Sequence, residues 1–217
     1  MDVLRALLLE GGTILPAEYG QNGELETDEL LALVFLVKRL RPRHVFEFGT
    51  FRGTTALTIA ANAPSGATVW TLDTVSLPKR CIGHNEEYHP DRTTVGKAFL
   101  DRSLYRGRAV MQLWGDSLET DLTQFYGLMD LVLVDGGHDP ETVRHDVLEA
   151  WRLLRDPGGA STLLVHDCTR VAAVLMAVQD VILLKAARDL MSLTTKATVV
   201  RELAIIGEAA ARVFCDY

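Results

Sequence analysis

Five short apolar runs, each ending in small or acidic residues, constrain this chain more than any other feature. They read "HVFEFG", "TVWTLDT", "AVMQLWGD", "DLVLVDGG" and "STLLVHD", and all lie between residues 44 and 167. None alternates polar and apolar residues along its length as a half-solvated strand would. Helical patterns separate most of them: "TTALTIAANA", "VGKAFLDRS" and "PETVRHDVLEAWRLL". Strands that are apolar on both faces and spaced by helices build a mainly parallel sheet covered on each side. The expected fold class is α/β, a single Rossmann-like, doubly wound, mostly parallel sheet with helices on both faces. Residues 1–42 are expected to form a helical segment packed on the core, and residues 43–217 the Rossmann-like domain.

The helix ends carry their own signals. Thr27 is the expected N-cap of a helix over 27–41, whose basic end (Lys38, Arg39, Arg41) suits the helix dipole before Pro42 stops it. Asp139 and Pro140 start a second long helix as N-cap and first-turn residue. In it Val143, Val147, Trp151 and Leu154 are assigned to the buried side, and Arg144, Asp146, Glu149 and Arg152 to the outer one. A long helical region is expected from about Thr169, and "ATVVRELAIIGE" near the end reads as strand material.

Composition narrows the function classes. At 217 residues, 48% hydrophobic and 24% charged, the chain suits one globular domain with a substantial core. A net charge of −7 argues against a general nucleic-acid binder, which needs a basic face. Cys81, Cys168 and Cys215 are odd in number and widely spaced, which points to a reducing, cytoplasmic setting. The start, "MDVLRALLLEGG", reads as a short amphipathic helix and not as a signal peptide. Gln179 and Asp180 interrupt the most apolar later stretch, so no membrane span is expected.

Ligands of such sheets sit at the carboxyl ends of the strands. There the sequence places Glu47, Asp73, Asp116, Asp135 and Asp167. Any one of these could be a cap or turn former. Five on one rim would repel unless a cation, or a ligand rich in hydroxyls and amines, lies among them.

The turn after the first run, "HVFEFGTFRGTT", decides between ligands. A dinucleotide fingerprint needs glycine two residues after the first, and Phe51 stands there; a phosphate loop with GK[ST] is absent as well. The pattern ExGxxxG instead resembles the first motif of class I S-adenosylmethionine-dependent methyltransferases. The stretch "FYGLMDLVLVDGGHDPETVRHDVLEAWRLLRDPGG", with "GKAF" and "GDS" before it and "LLVHD" after it, is similar to small-molecule methyltransferases of the Methyltransf_24 type. Relatives of that group include O-methyltransferases acting on sugars of natural products and, more distantly, catechol O-methyltransferase.

The resemblance covers about residues 27–170. It implies S-adenosylmethionine as cofactor and a hydroxyl of a small molecule, such as a sugar, as acceptor. It places Gly49, Thr50 and Gly53 beside the methionine part of the cofactor, Glu47 on its amino group, Asp73 on the ribose hydroxyls, and Asp116 with Ser117 on the adenine. Asp135 and Asp167 take the positions of ligands to Mg2+ or another divalent cation. Cys168 stands third, where the metal-dependent relatives have Asp or Asn. A thiol is a poor magnesium ligand, and His166 or His138 in its place would favour a softer metal. His138, three residues after Asp135, is the candidate general base beside Asp135 and Asp167. His145 is expected on the exposed side of its helix.

The segment 75–95, with His84, Glu86, Glu87, Tyr88 and His89, matches no standard metal spacing. It is expected to be a lid whose Tyr88 meets the acceptor. The helix at 30–40 has hydrophobic residues on more than one face, so it is expected either to be well buried or to lie at a subunit contact, as in a homodimer. The rival expectation is a protein that binds the cofactor without turnover, as a partner or regulatory subunit.

Overall fold

The computed structural model describes residues 25–75, 92–100, 109–157, 160–168 and 171–181. The expectations for the N-terminal "MDVLRALLLEGG", for His84, Glu86, Glu87, Tyr88 and His89, for Cys81 and Cys215, and for the strand material after residue 181 lie outside the described residues. Within them are helix α1 (Thr27–Leu40), strand β1 (His44–Phe48), α2 (Thr54–Asn62), β2 (Thr68–Asp73), a helical turn at Lys97–Leu100, and β3 (Ala109–Trp114). A 3-10 turn (Thr123–Phe125), β4 (Leu131–Val134), α3 (Pro140–Leu153) and β5 (Thr162–Val165) follow, then a helix, α4, through residues 172–181.

The five strands form one sheet in the order β3-β2-β1-β4-β5, and every neighbouring pair is parallel. The expected α/β class and its five apolar strands are therefore present. β1 starts both halves: Phe48 lies opposite Leu72 on one side and Val134 on the other. The order reverses beside β1, so the ends of β1 and β4 bound the crevice where ligands of such sheets bind.

Period-2 alternation sorts the strand residues into two cores. Val45, Val69, Leu131, Leu133 and Leu164 pack with α1 and α2 through Leu30, Leu33, Val37, Ala56 and Ile59. Phe46, Phe48, Leu72, Val132 and Val134 pack on the opposite side with Val143, Val147, Ala150 and Leu153 of α3 and Val174, Ala177 and Val181 of α4. Each large side chain so buried contributes roughly 1.5–3 kcal/mol. Among the described residues no helix is long and apolar enough to cross a membrane.

Two local expectations need correction. The cap of α1 is Glu26, one residue before Thr27: Glu29 Oε2 accepts the Glu26 N–H at 2.8 Å in a capping box. On α3, Asp146 and Glu149 are buried, although the outer face was expected. At about 100° per residue, Asp146 falls between Leu153 and Val143, inside an apolar arc that Ala150 and Leu153 widen. Glu149 is satisfied there by the Tyr126 hydroxyl, which donates to Oε2 at 2.6 Å, and by Arg152. The start of α3 is as expected, with Asp139 Oδ1 accepting from Thr142 N at 3.0 Å and Pro140 in the first turn.

Candidate functional site

The parallel strands bring Glu47, Asp73, Asp116, Asp135 and Asp167 to one rim. Each of the five has at least one partner within the protein, and Asp135 and Asp73 still repel charge on Glu47, as expected of acids gathered on one rim. Backbone amides, hydroxyls and imidazoles inside the protein answer them.

The turn after β1 is built on Asp73. Its Oδ2 accepts from the backbone N–H of Thr50 at 3.0 Å and of Phe51 at 2.8 Å, and Oδ1 accepts from Thr74 N at 2.7 Å. Phe51 takes a left-handed φ of 46°, a conformation that costs a non-glycine residue energy and that the two bonds to Asp73 hold in place.

Both glycines of the turn answer to the protein itself. Gly49 has φ +89°, and a Cβ there would lie 2.0 Å from the carbonyl oxygen of Asp135, so the turn rests directly on the end of β4. Gly53 has φ +85°, and a Cβ there would lie 2.4 Å from the Phe99 ring. Backbone and ring thus pack closely on the turn that the resemblance sets beside the methionine part of the cofactor.

Glu47 lies beneath the turn and is wholly buried. Its Oε2 accepts from the Thr71 hydroxyl, Thr71 and Thr50 hydroxyls meet at 2.7 Å, and Gln112 Nε2 donates to Thr50 at 3.0 Å. Oε1 is buried without a hydrogen bond among the described residues. Burial pushes the pKa of Glu47 well up, against the Thr71 bond, and the charges of Asp135 and Asp73 add to the rise. Contact with a ligand's amino group therefore requires Glu47 to act through the Thr71–Thr50 chain or to be uncovered.

At β3, Asp116 stands two residues beyond the strand and shapes its own turn, Oδ1 accepting from Leu118 N at 3.1 Å. Behind it the sequence reading missed Asp146. Desolvation raises the pKa of this carboxyl, while hydrogen bonds from His145 and Ser117 work the other way. His145 is half-buried through that contact, its Nδ1 lying 3.2 Å from Asp146 Oδ1.

The ends of β4 and β5 carry a different structure. His166 Nδ1 lies 2.9 Å from Asp135 Oδ1 and 3.2 Å from Asp167 Oδ2. Neighbouring side chains of a strand normally point to opposite faces. Here Asp167 turns left-handed, with φ 59°, just past the strand, and so meets the ring of the residue before it. His138 Nε2 reaches the same Asp167 Oδ2 at 3.1 Å.

Burial opposes charge on His166, yet the bonds to Asp135 and Asp167 together outweigh it and push the pKa up to about 11. The Asp167 bond raises the His138 pKa against partial desolvation. The bonds from His138 and His166 hold Asp167 well below the usual carboxylate range. Ligand atoms of Asp135, His166 and Asp167 all lie within 4.8 Å of one another, a spacing a metal ion can bridge. Cys168, expected third in the ligand series, turns away and sets its Sγ 3.6 Å from the carbonyl oxygen of Val165. A second missed residue is Glu29 on α1, whose Oε1 stands 3.3 Å from His166 Nε2.

The Methyltransf_24 family, a methyltransferase domain, matches residues 46–168, more than half of the chain and the whole of the rim. The chain belongs to this family. No curated protein matches it in sequence. Among solved structures, an O-methyltransferase from Bacillus cereus in complex with SAH is 20% identical, over 86% of this chain and 77% of its own, with a TM-score of 0.53. A cofactor-bound protein from MTB gives 22% identity, 82% and 75% coverage, and a TM-score of 0.54. TomG of Streptomyces achromogenes, an O-methyltransferase involved in tomaymycin synthesis and solved with SAM, gives 18%, 75%, 70% and 0.52. At such identities the likeness is one of fold. It gives this methyltransferase the same Rossmann-like frame.

Proposed function

We propose that this methyltransferase uses S-adenosylmethionine to methylate a hydroxyl of a small molecule, with the reacting groups at the β4–β5 end of the crevice. The observation that carries the reading is the His138–Asp167 contact, an imidazole oriented by a carboxylate at the strand ends of a methyltransferase fold.

The cofactor fits on the donor set. The crevice opens where the strand order reverses, Asp73 stands at the end of β2 beside the turn, on the side of the ribose, and the rim is acidic toward a sulfonium and an ammonium. Asp116 and Ser117, backed by the buried Asp146, serve the adenine end, and the turn at Gly49, Thr50 and Gly53 serves the methionine end, with Glu47 supporting it through Thr71. S-adenosylmethionine supplies the electrophilic methyl group and its own leaving group.

The protein's part is to align the acceptor and remove its proton. A sugar hydroxyl is a weak acid, and an ordered base is the direct means of making it nucleophilic. With Nε2–H donated to Asp167, Nδ1 of His138 is the nitrogen left to take that proton. Asp135, His166 and Asp167 fit a divalent cation by spacing and donor type. Two carboxylates and one imidazole suit a d-block ion such as manganese better than magnesium. When bound, such a cation stabilises the acceptor oxyanion.

The test is transfer of label from methyl-labelled S-adenosylmethionine to a panel of hydroxylated acceptors, across pH. The expected result is a methyl ether and equimolar S-adenosylhomocysteine. The rate should climb with pH through a value above about 6.5, because the raised pKa of His138 must be passed before the base is neutral. Label found only on thiols or amines, or a rate indifferent to pH, contradicts the reading.

A further inference from the structure

We infer that Glu29, on the N-terminal helix α1, is a positioning residue of the cation site: its carboxylate holds His166 with Nδ1 turned toward Asp135 and Asp167. The inference rests on the proposed cation reading of that cluster and extends it to an element that supplies no ligand.

The His166 ring has two nitrogens and only one of them faces the strand-end acids. Nδ1 is within 2.9 Å of Asp135 and 3.2 Å of Asp167, so Nε2 points the other way, toward α1. There it is buried, forms no aligned hydrogen bond among the described residues, and lies 3.3 Å from Glu29 Oε1. A buried ring N–H beside a carboxylate needs only a small rotation to bond it, and leaving it unbonded costs stability. Metal-bound imidazoles commonly donate their second N–H to a carboxylate, which fixes tautomer and orientation. Glu29 stands where that partner is needed.

The position of Glu29 is itself fixed. Its other oxygen, Oε2, caps α1 through the Glu26 N–H at 2.8 Å, and Leu30, the next residue, is fully buried against the core. One carboxylate thus ties the start of α1 to the end of β5. The N-terminal helix becomes part of the site's frame.

The test uses the full chain, first freed of metal by chelation. Manganese(II) is the probe, followed by loss of its free-ion EPR signal. E29Q is the informative variant, because Gln also serves in a capping box and keeps the acceptor for Glu26 while removing the anion from Nε2. The expected outcome is weakening of manganese binding by about 10- to 100-fold in E29Q, with an unchanged far-UV spectrum. In E29Q/H166N the binding should be no weaker than in H166N alone, since Glu29 acts through that ring. E29D, which keeps the charge but draws it back from Nε2, should fall between wild type and E29Q.

A metal-free readout accompanies these. The ε2 nitrogen resonance of His166, assigned by its loss in H166N, should shift in E29Q. Equal manganese affinity in wild type and E29Q, with that resonance unmoved, overturns the role of Glu29. Absence of manganese binding in wild type overturns the cation reading beneath it. The nitrogen resonance then still decides whether Glu29 orients the ring.

Discussion

At the β1–β2 half of the rim, three backbone N–H groups converge on one carboxylate, Asp73; at the β4–β5 half, two imidazoles and three carboxylates converge on one another. The first half is a backbone frame. Its donors belong to the chain path itself, so it can be removed only by altering the turn. The second half consists of side chains, and any one of them can be replaced while the strands beneath stay paired. Damage to the first should register as lost stability or lost cofactor affinity. Damage to the second should register as lost turnover in a folded protein.

The largest effect expected on the side-chain half is H138A. A positioned acid–base group contributes about 10²- to 10⁴-fold to rate, so turnover should fall by that amount while S-adenosylhomocysteine binds as in wild type. Equal losses of turnover and binding would place His138 in the cofactor frame and break the comparison.

On the backbone half, G49A sets a methyl group against the Asp135 carbonyl and forces alanine into φ +89°. Overpacking and left-handed strain together should cost about 3 kcal/mol or more, read as a lower urea midpoint. A fully stable G49A would mean that the turn can move off β4. D73A should come next. Loss of hydrogen bonds to a charged group is worth about 1.5–3 kcal/mol, seen as weaker S-adenosylhomocysteine binding with a disordered turn.

The smallest effect is the pH behaviour of Glu47. Because its folded pKa is raised, the group's contribution to stability is fully present below the unfolded-state value and is lost as pH rises toward the folded one. Relative to E47Q, wild type should therefore lose stability as pH rises above about 4.3, as measured by urea unfolding at several pH values. A constant difference would show that Glu47 ionises as readily when folded as when unfolded.

The same contrast explains what could be read in the sequence. The β1–β2 half was legible because backbone geometry leaves a local mark: ExGxxxG after a strand, then Asp73 at the end of the next. The parallel sheet was legible for a similar reason, since β4 is an unbroken apolar run buried on both faces and β1 is apolar but for His44 and the buried Glu47. The β4–β5 half was only partly legible. Asp135, His138 and Asp167 are visible as strand-end residues, but the inward turn of His166 depends on the left-handed conformation of Asp167, which leaves no such local mark. Cys168 was placed in the ligand series by the family resemblance, whereas its Sγ lies by the Val165 carbonyl oxygen. Glu29 lies over a hundred residues from its partner, and its role depends on where α1 docks. Asp146 could have been found by carrying the helical wheel through Ala150 and Leu153.

The most direct test of the central claim is a calorimetric titration of the full chain with S-adenosylhomocysteine, run in chelator and repeated with manganese(II), with NAD as control. One site per chain is expected in chelator, since the β1–β2 frame is complete without metal, and no heat with NAD. No S-adenosylhomocysteine binding under either condition would contradict that claim.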